Sequence, residues 1–144
     1  MIPQKLKQNE RSTTMKFKTL MILKAIVCIS LGVPILISPD FVYSIFGASL
    51  SAGGAFAARE YGASLVGNML LTWFAKNAQE SETKRAIILA MCAYNTIGFI
   101  ITLFANLSGI LSPMGWMAFA IYLFFAVGFG YFLFKEKKSV LMSS

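Results

Sequence analysis

Residues 86–134, AIILAMCAYNTIGFIITLFANLSGILSPMGWMAFAIYLFFAVGFGYFLF, run for 49 residues without an Asp, Glu, Lys or Arg. As one helix the stretch would extend about 74 Å at 1.5 Å per residue. The hydrocarbon core of a bilayer is only about 30 Å thick. The run must therefore fold back. The break reads at Asn106-Leu-Ser-Gly-Ile-Leu-Ser-Pro-Met-Gly, where Ser112 and Pro113 suit a helix cap and first turn. Two spans follow, 86–107 and 113–134. A soluble fold would leave part of this run exposed and aggregate, so lipid is the solvent that fits.

The rest of the chain agrees. Hydrophobic residues make up 57% and charged residues 13% of 144, with a mean hydropathy of +0.68. Soluble domains hold about 45–50% apolar and about 25% charged residues. A first span is expected at 19–38, with Lys24 close enough to its inner end to snorkel and Pro34 kinking its outer half. Ser38-Pro39-Asp40 reads as a stop and restart, after which Phe41, Val42, Ile45 and Phe46 suit a short interfacial helix. Small residues 47–54 connect to a second span at 53–75.

These spans set the expected organisation: an all-α, four-transmembrane-helix bundle, up-down-up-down, over residues 19–134. Residues 1–18 read as a polar, irregular cytoplasmic tail, with Met1 and Met15 both open as the start, and residues 135–144 as a cytoplasmic tail. The basic n-region and long apolar stretch imitate a signal peptide, but no small-residue cleavage site follows.

The net charge is +7, yet its placement points away from nucleic acid and towards topology. Lys5, Lys7, Arg11, Lys16, Lys18 and Lys24 precede or open the first span. Lys76, Lys84 and Arg85 occupy the middle loop, and Lys135, Lys137 and Lys138 the end. The other two loops hold no basic residue, which predicts both termini on the cytoplasmic side of a plasma membrane.

Histidine is absent, and Cys28 and Cys92 stand alone in apolar runs. No metal, haem or dithiol chemistry has its ligands, and no cofactor is expected. Walker, dinucleotide and nucleophile-elbow motifs are missing too. The sequence shows no recognisable catalytic machinery.

Ionisable residues inside a span are functional candidates, which singles out Arg59 and Glu60. Glu60, Ser64, Asn68 and Thr72 recur every four residues, and Asn95 and Thr102 lie in the third span. Asn68 and Asn95 should fall at similar depth, as interhelical hydrogen-bonding glue or as the wall of a polar path with Glu60 at its mouth. Arg59, flanked one turn away by Ala55 and Ala63, is expected to be tied to the protein. Gly54, Ala58 and Gly62 form a small-x-x-x-small series that permits close approach, within the chain or between subunits. The aromatics of the last span read as lipid-facing bulk.

Leu31-Gly-Val-Pro-Ile-Leu-Ile-Ser-Pro-Asp-Phe and Ala58-Arg-Glu-Tyr-Gly-Ala-Ser-Leu-Val-Gly resemble small four-helix bacterial membrane proteins of the broad DoxX-like group. The resemblance implies a four-helix bundle and a membrane location, and transfers no catalytic residue. Three functions stay open: a non-enzymatic membrane component binding a partner protein or a lipid-like molecule, an oligomeric transporter or channel using Glu60, and an enzyme acting on a lipid with Glu60 as acid or base. Partners expected on this reading are the bilayer, further copies of the chain or another membrane protein.

Overall fold

Punctuation in the sequence sets the helix ends. The computed structural model describes the backbone of residues 4–143, and the side chains of residues 4–5 and 16–135. Its elements are α1 (Gln4–Ile37), α2 (Pro39–Ile45), α3 (Ala52–Ala75), α4 (Glu82–Leu107) and α5 (Gly115–Ser143). Helix thus extends into both terminal segments that composition leaves as tails. Pro39 opens α2, where its missing N–H is no loss. Ser51 and Ser81 cap α3 and α4, their hydroxyls accepting from the amides of Gly54 and Lys84 at 3.1 Å each. Gly47 and Gly109 end α2 and α4 with φ of 78° and 70°. Each carries the paired Schellman bonds, Ala48 N to Tyr43 O and Ile110 N to Ala105 O among them.

The four-transmembrane-helix bundle, up-down-up-down, is corrected. The described residues hold five helices, and three stretches are long and apolar enough to cross a membrane: Lys16–Ile37, Glu82–Leu107 and Gly115–Lys135. The extra helix is the seven-residue α2. The expected second span fails the test of composition, because Arg59, Glu60 and Asn68 dilute the apolar content of α3. Its 24 residues still give it about 36 Å of length.

Two helix pairs make up the molecule, α1 with α3 and α4 with α5. Small residues let the first pair close. A Cβ at Gly62 would stand 3.0 Å from the Gly32 carbonyl oxygen and 3.1 Å from the Leu36 amide nitrogen. Ala58 and Gly62 therefore serve an approach inside the chain, and Ala63 is exposed. In the second pair, Gly98 leaves room for the Tyr122 ring and Gly115 for the Asn106 side chain.

The pairs join at two places. At the basic end Phe17, Met21, Ile88, Phe125, Phe129 and Phe132 form a buried cluster shared by α1, α4 and α5. Phe17 meets Phe132 edge-on at 5.4 Å. This corrects the reading of the last span's aromatics as lipid-facing bulk: Phe124 and Tyr131 are exposed, but Phe125, Phe129 and Phe132 are core. At the opposite end the loop before α5 docks on α2, Ser112 N donating to Phe46 O at 2.8 Å and Ser112 Oγ to Ile45 O at 3.2 Å. Between the two joins the pairs stand apart and only side chains bridge them.

Candidate functional site

The gap between the pairs is a cavity of about 460 Å³, within the roughly 300–1,000 Å³ of small-molecule sites. One face of α1 lines it, Lys24, Val27, Cys28, Leu31 and Ile35, spaced three or four residues apart or adjacent. Facing this stripe are Leu65 of α3, Ile97 and Ile101 of α4, and Ile121 of α5. The wall is apolar along most of its length.

Polar groups gather where Lys24 enters. Lys24 is 2% exposed, and its Nζ donates to Asn95 Oδ1 at 2.7 Å. Three rings cover the ammonium: Phe125 at 4.7 Å, Tyr94 at 5.2 Å and Tyr122 at 6.0 Å from their centroids. Asn95 is fully buried, and its Nδ2 donates to Met91 O at 2.6 Å, which fixes the amide so that oxygen faces the lysine. The Tyr61 and Tyr122 hydroxyls hydrogen-bond to each other, linking α3 to α5 across the gap. Tyr94 lines the same space, and its buried hydroxyl makes no hydrogen bond of normal geometry among the described residues.

Depth makes the lysine unusual. Asn95 lies 13 residues from the start of α4, about 20 Å along the axis, so the ammonium sits near mid-span. The expected snorkelling of Lys24 towards the inner end does not occur, because the face it shares with Met21 and Cys28 turns inward. A charge at the centre of a span costs about 2.5–3.5 kcal/mol on insertion scales. One amide oxygen and three ring faces offset part of that. No carboxylate contacts it among the described residues.

At the far end Tyr43 of α2 and Thr102 of α4 add hydroxyls to the lining. Burial, and then the neighbouring Tyr122, push the Tyr43 hydroxyl above the usual phenol range, so it stays a neutral donor.

The residues expected to form a polar site are only partly brought together. Asn95 and Thr102 are at the cavity. Arg59, Glu60 and Ser64 are exposed on α3, and Asn68 is half-buried away from the lining. Ser64 Oγ bonds back to Glu60 O at 3.1 Å and Thr72 Oγ1 to Asn68 O at 2.8 Å, satisfying themselves within α3. The Asn68–Asn95 bond does not form, since α3 packs on α1 and not on α4. What sequence reading missed is Lys24 and the tyrosines. A lysine within an otherwise apolar run, facing an asparagine within another, was the available signal.

The model of the DUF8292 family, a domain of unknown function, matches residues 3–136. The chain belongs to that family, a match that lends no support to the DoxX-like resemblance. No curated protein and no solved structure matches the chain.

Proposed function

We propose that this member of the DUF8292 family is a non-enzymatic component of the plasma membrane that holds a lipid-like molecule between its two helix pairs. The observation that carries the reading is the cavity itself. It is about 460 Å³, walled mostly by apolar side chains, and gathers most of its polar groups around Lys24. An apolar chain would replace the contacts that the separated pairs do not make with each other. Three stretches able to cross a membrane support a molecule drawn from the bilayer.

The basic end bearing Lys16, Lys18, Lys76, Arg85 and Lys135 faces the cytoplasm on this reading, following the distribution of basic residues. Glu60 lies outside the lining, so the geometry favours a held molecule over a pathway built on that carboxylate.

Native mass spectrometry from mild detergent tests the proposal. The parent chain should retain a lipid-sized mass. Ala118→Phe, which fills the lining from α5, should lose it while keeping its helical content. A parent chain that carries no such mass, or an Ala118→Phe variant that retains it undiminished, would overturn the reading.

A further inference from the structure

We infer that the molecule held is a single-chain amphiphile with an anionic head group, seated between Lys24 and Tyr94, with its apolar body running towards α2. The inference deepens the function proposed above and rests on it.

Two independent features ask for the same chemistry. The first is an unmatched cation. The Lys24 ammonium has three donors and, among the described residues, one hydrogen bond, to an amide oxygen. Its other neighbours are ring faces, which attract a cation but accept no strong hydrogen bond, and the Cys28 thiol, a weak acceptor. Asp40, Glu60, Glu80 and Glu82 are all exposed and none lines the cavity. The second feature is an excess of hydroxyl donors. Tyr61, Tyr94 and Tyr122 supply three O–H groups, and the one bond between Tyr61 and Tyr122 uses a single proton. The Tyr94 hydroxyl, buried beside the other two, makes no hydrogen bond of normal geometry among the described residues.

An uncharged head would satisfy hydroxyls but leave the cation unmatched. A cationic head would be repelled. An anionic oxygen pair accepts from the ammonium and from Tyr94 together, and such charge-assisted bonds are the strong ones. The shape agrees. The stripe from Lys24 to Ile35 covers about 17 Å of helix, a length suited to one lipid chain and not to a full two-chain lipid.

The test compares amphiphiles that share a chain and differ in head. Palmitate, hexadecyl phosphate and hexadecanol are titrated separately against the full chain in uncharged detergent, with bound fraction read by native mass spectrometry. At least one anion should bind about tenfold or more tighter than the alcohol, the scale of one charge-assisted bond. Palmitate ahead marks a carboxylate as the source and hexadecyl phosphate ahead marks a phosphate, and either supports the inference.

In Lys24→Met the preference for the anion should collapse to within about threefold, with alcohol binding retained. Tyr94→Phe removes one oxygen from the cavity wall. It should weaken the anion about threefold to tenfold and the alcohol by less, since a bond to a neutral oxygen is the weaker one. Equal binding of acid, phosphate and alcohol to the parent would overturn the head-group inference and leave the cavity reading standing. Binding of none of the three would overturn both. An anion preference that survives in both variants would remove Lys24 and Tyr94 from the site.

Discussion

Replacing Asn95 with leucine isolates the interaction on which the cavity's polar end depends. The change keeps the volume close and removes the one hydrogen-bond acceptor that meets the Lys24 ammonium among the described residues. Hydrogen bonds to charged groups contribute about 1.5–3 kcal/mol, and a buried donor left unmade carries its full desolvation penalty. Asn95 also gives up its bond to Met91 O, but that carbonyl keeps its helical partner, so little is lost there. Asn95→Leu alone should therefore destabilise by about 2–3 kcal/mol. Lys24→Met acts differently. It removes a charge whose mid-span placement is unfavourable by about 2.5–3.5 kcal/mol and leaves an unpaired amide oxygen worth about 1–3 kcal/mol. The two nearly cancel.

The double variant replaces both partners with apolar groups of similar shape, which is often neutral or stabilising. The cycle should then show a coupling of at least about 1.5 kcal/mol, the double being more stable than the sum of the singles predicts. Unfolding in mixed dodecyl maltoside and SDS micelles, followed by tryptophan fluorescence and circular dichroism, supplies all four free energies. If the singles add to within about 0.5 kcal/mol, Lys24 and Asn95 do not hold each other, and the ammonium takes another position.

Two further substitutions probe the α1–α3 contact and the exposed charges. Gly62→Val should push α1 and α3 apart, because its Cβ would press on the Gly32 carbonyl and the Leu36 amide at 3.0 and 3.1 Å. A loss of about 1–3 kcal/mol in the same assay is expected, and an unchanged stability would place the helix crossing elsewhere. Arg59→Ala should leave stability unchanged, since Arg59 is exposed and no hydrogen bond or ion pair holds it among the described residues. A clear drop in melting temperature would mean that Arg59 has a partner and that α3 turns differently.

Helix ends were legible because their signals are local. Ser51, Ser81, Pro39, Gly47 and Gly109 each act through their own backbone neighbourhood, so a reading by cap and turn chemistry reaches them. The helix count was not legible in the same way. Phe41, Val42, Ile45 and Phe46 suggested a short interfacial helix, yet the four-helix description gave α2 no weight. In the same way, length alone made α3 resemble its neighbours, while Arg59, Glu60 and Asn68 lowered its apolar content below theirs. Pairing of helices was hidden more deeply. Asn68 and Asn95 were matched by depth, but depth does not say which helices touch, and α3 spends its small face on Gly32 and Leu36 of α1.

The site was obscured by the solvent that made the fold easy to read. In water an amphipathic helix declares its inner face through its polar outer one. Here α1 is apolar on nearly every side from Met21 to Ile37, since lipid and protein interior favour the same side chains. Rotation about the helix axis then decides whether Lys24 reaches the inner interface or the core, and composition carries little record of that rotation. A shift of one residue, about 100°, would turn it to lipid. Packing fixes the angle instead: Gly32 must face Gly62 on one side, and Phe17 and Met21 must face Phe125 and Phe129 on the other. Those two requirements together aim the lysine between the pairs. Arg59 and Glu60 drew attention because two adjacent charges in a helix are conspicuous in sequence, yet an exposed charge near a helix end reaches water or head groups with little penalty. A single lysine turned inward at mid-span has no such exit. Its position is one that a bound anion would relieve.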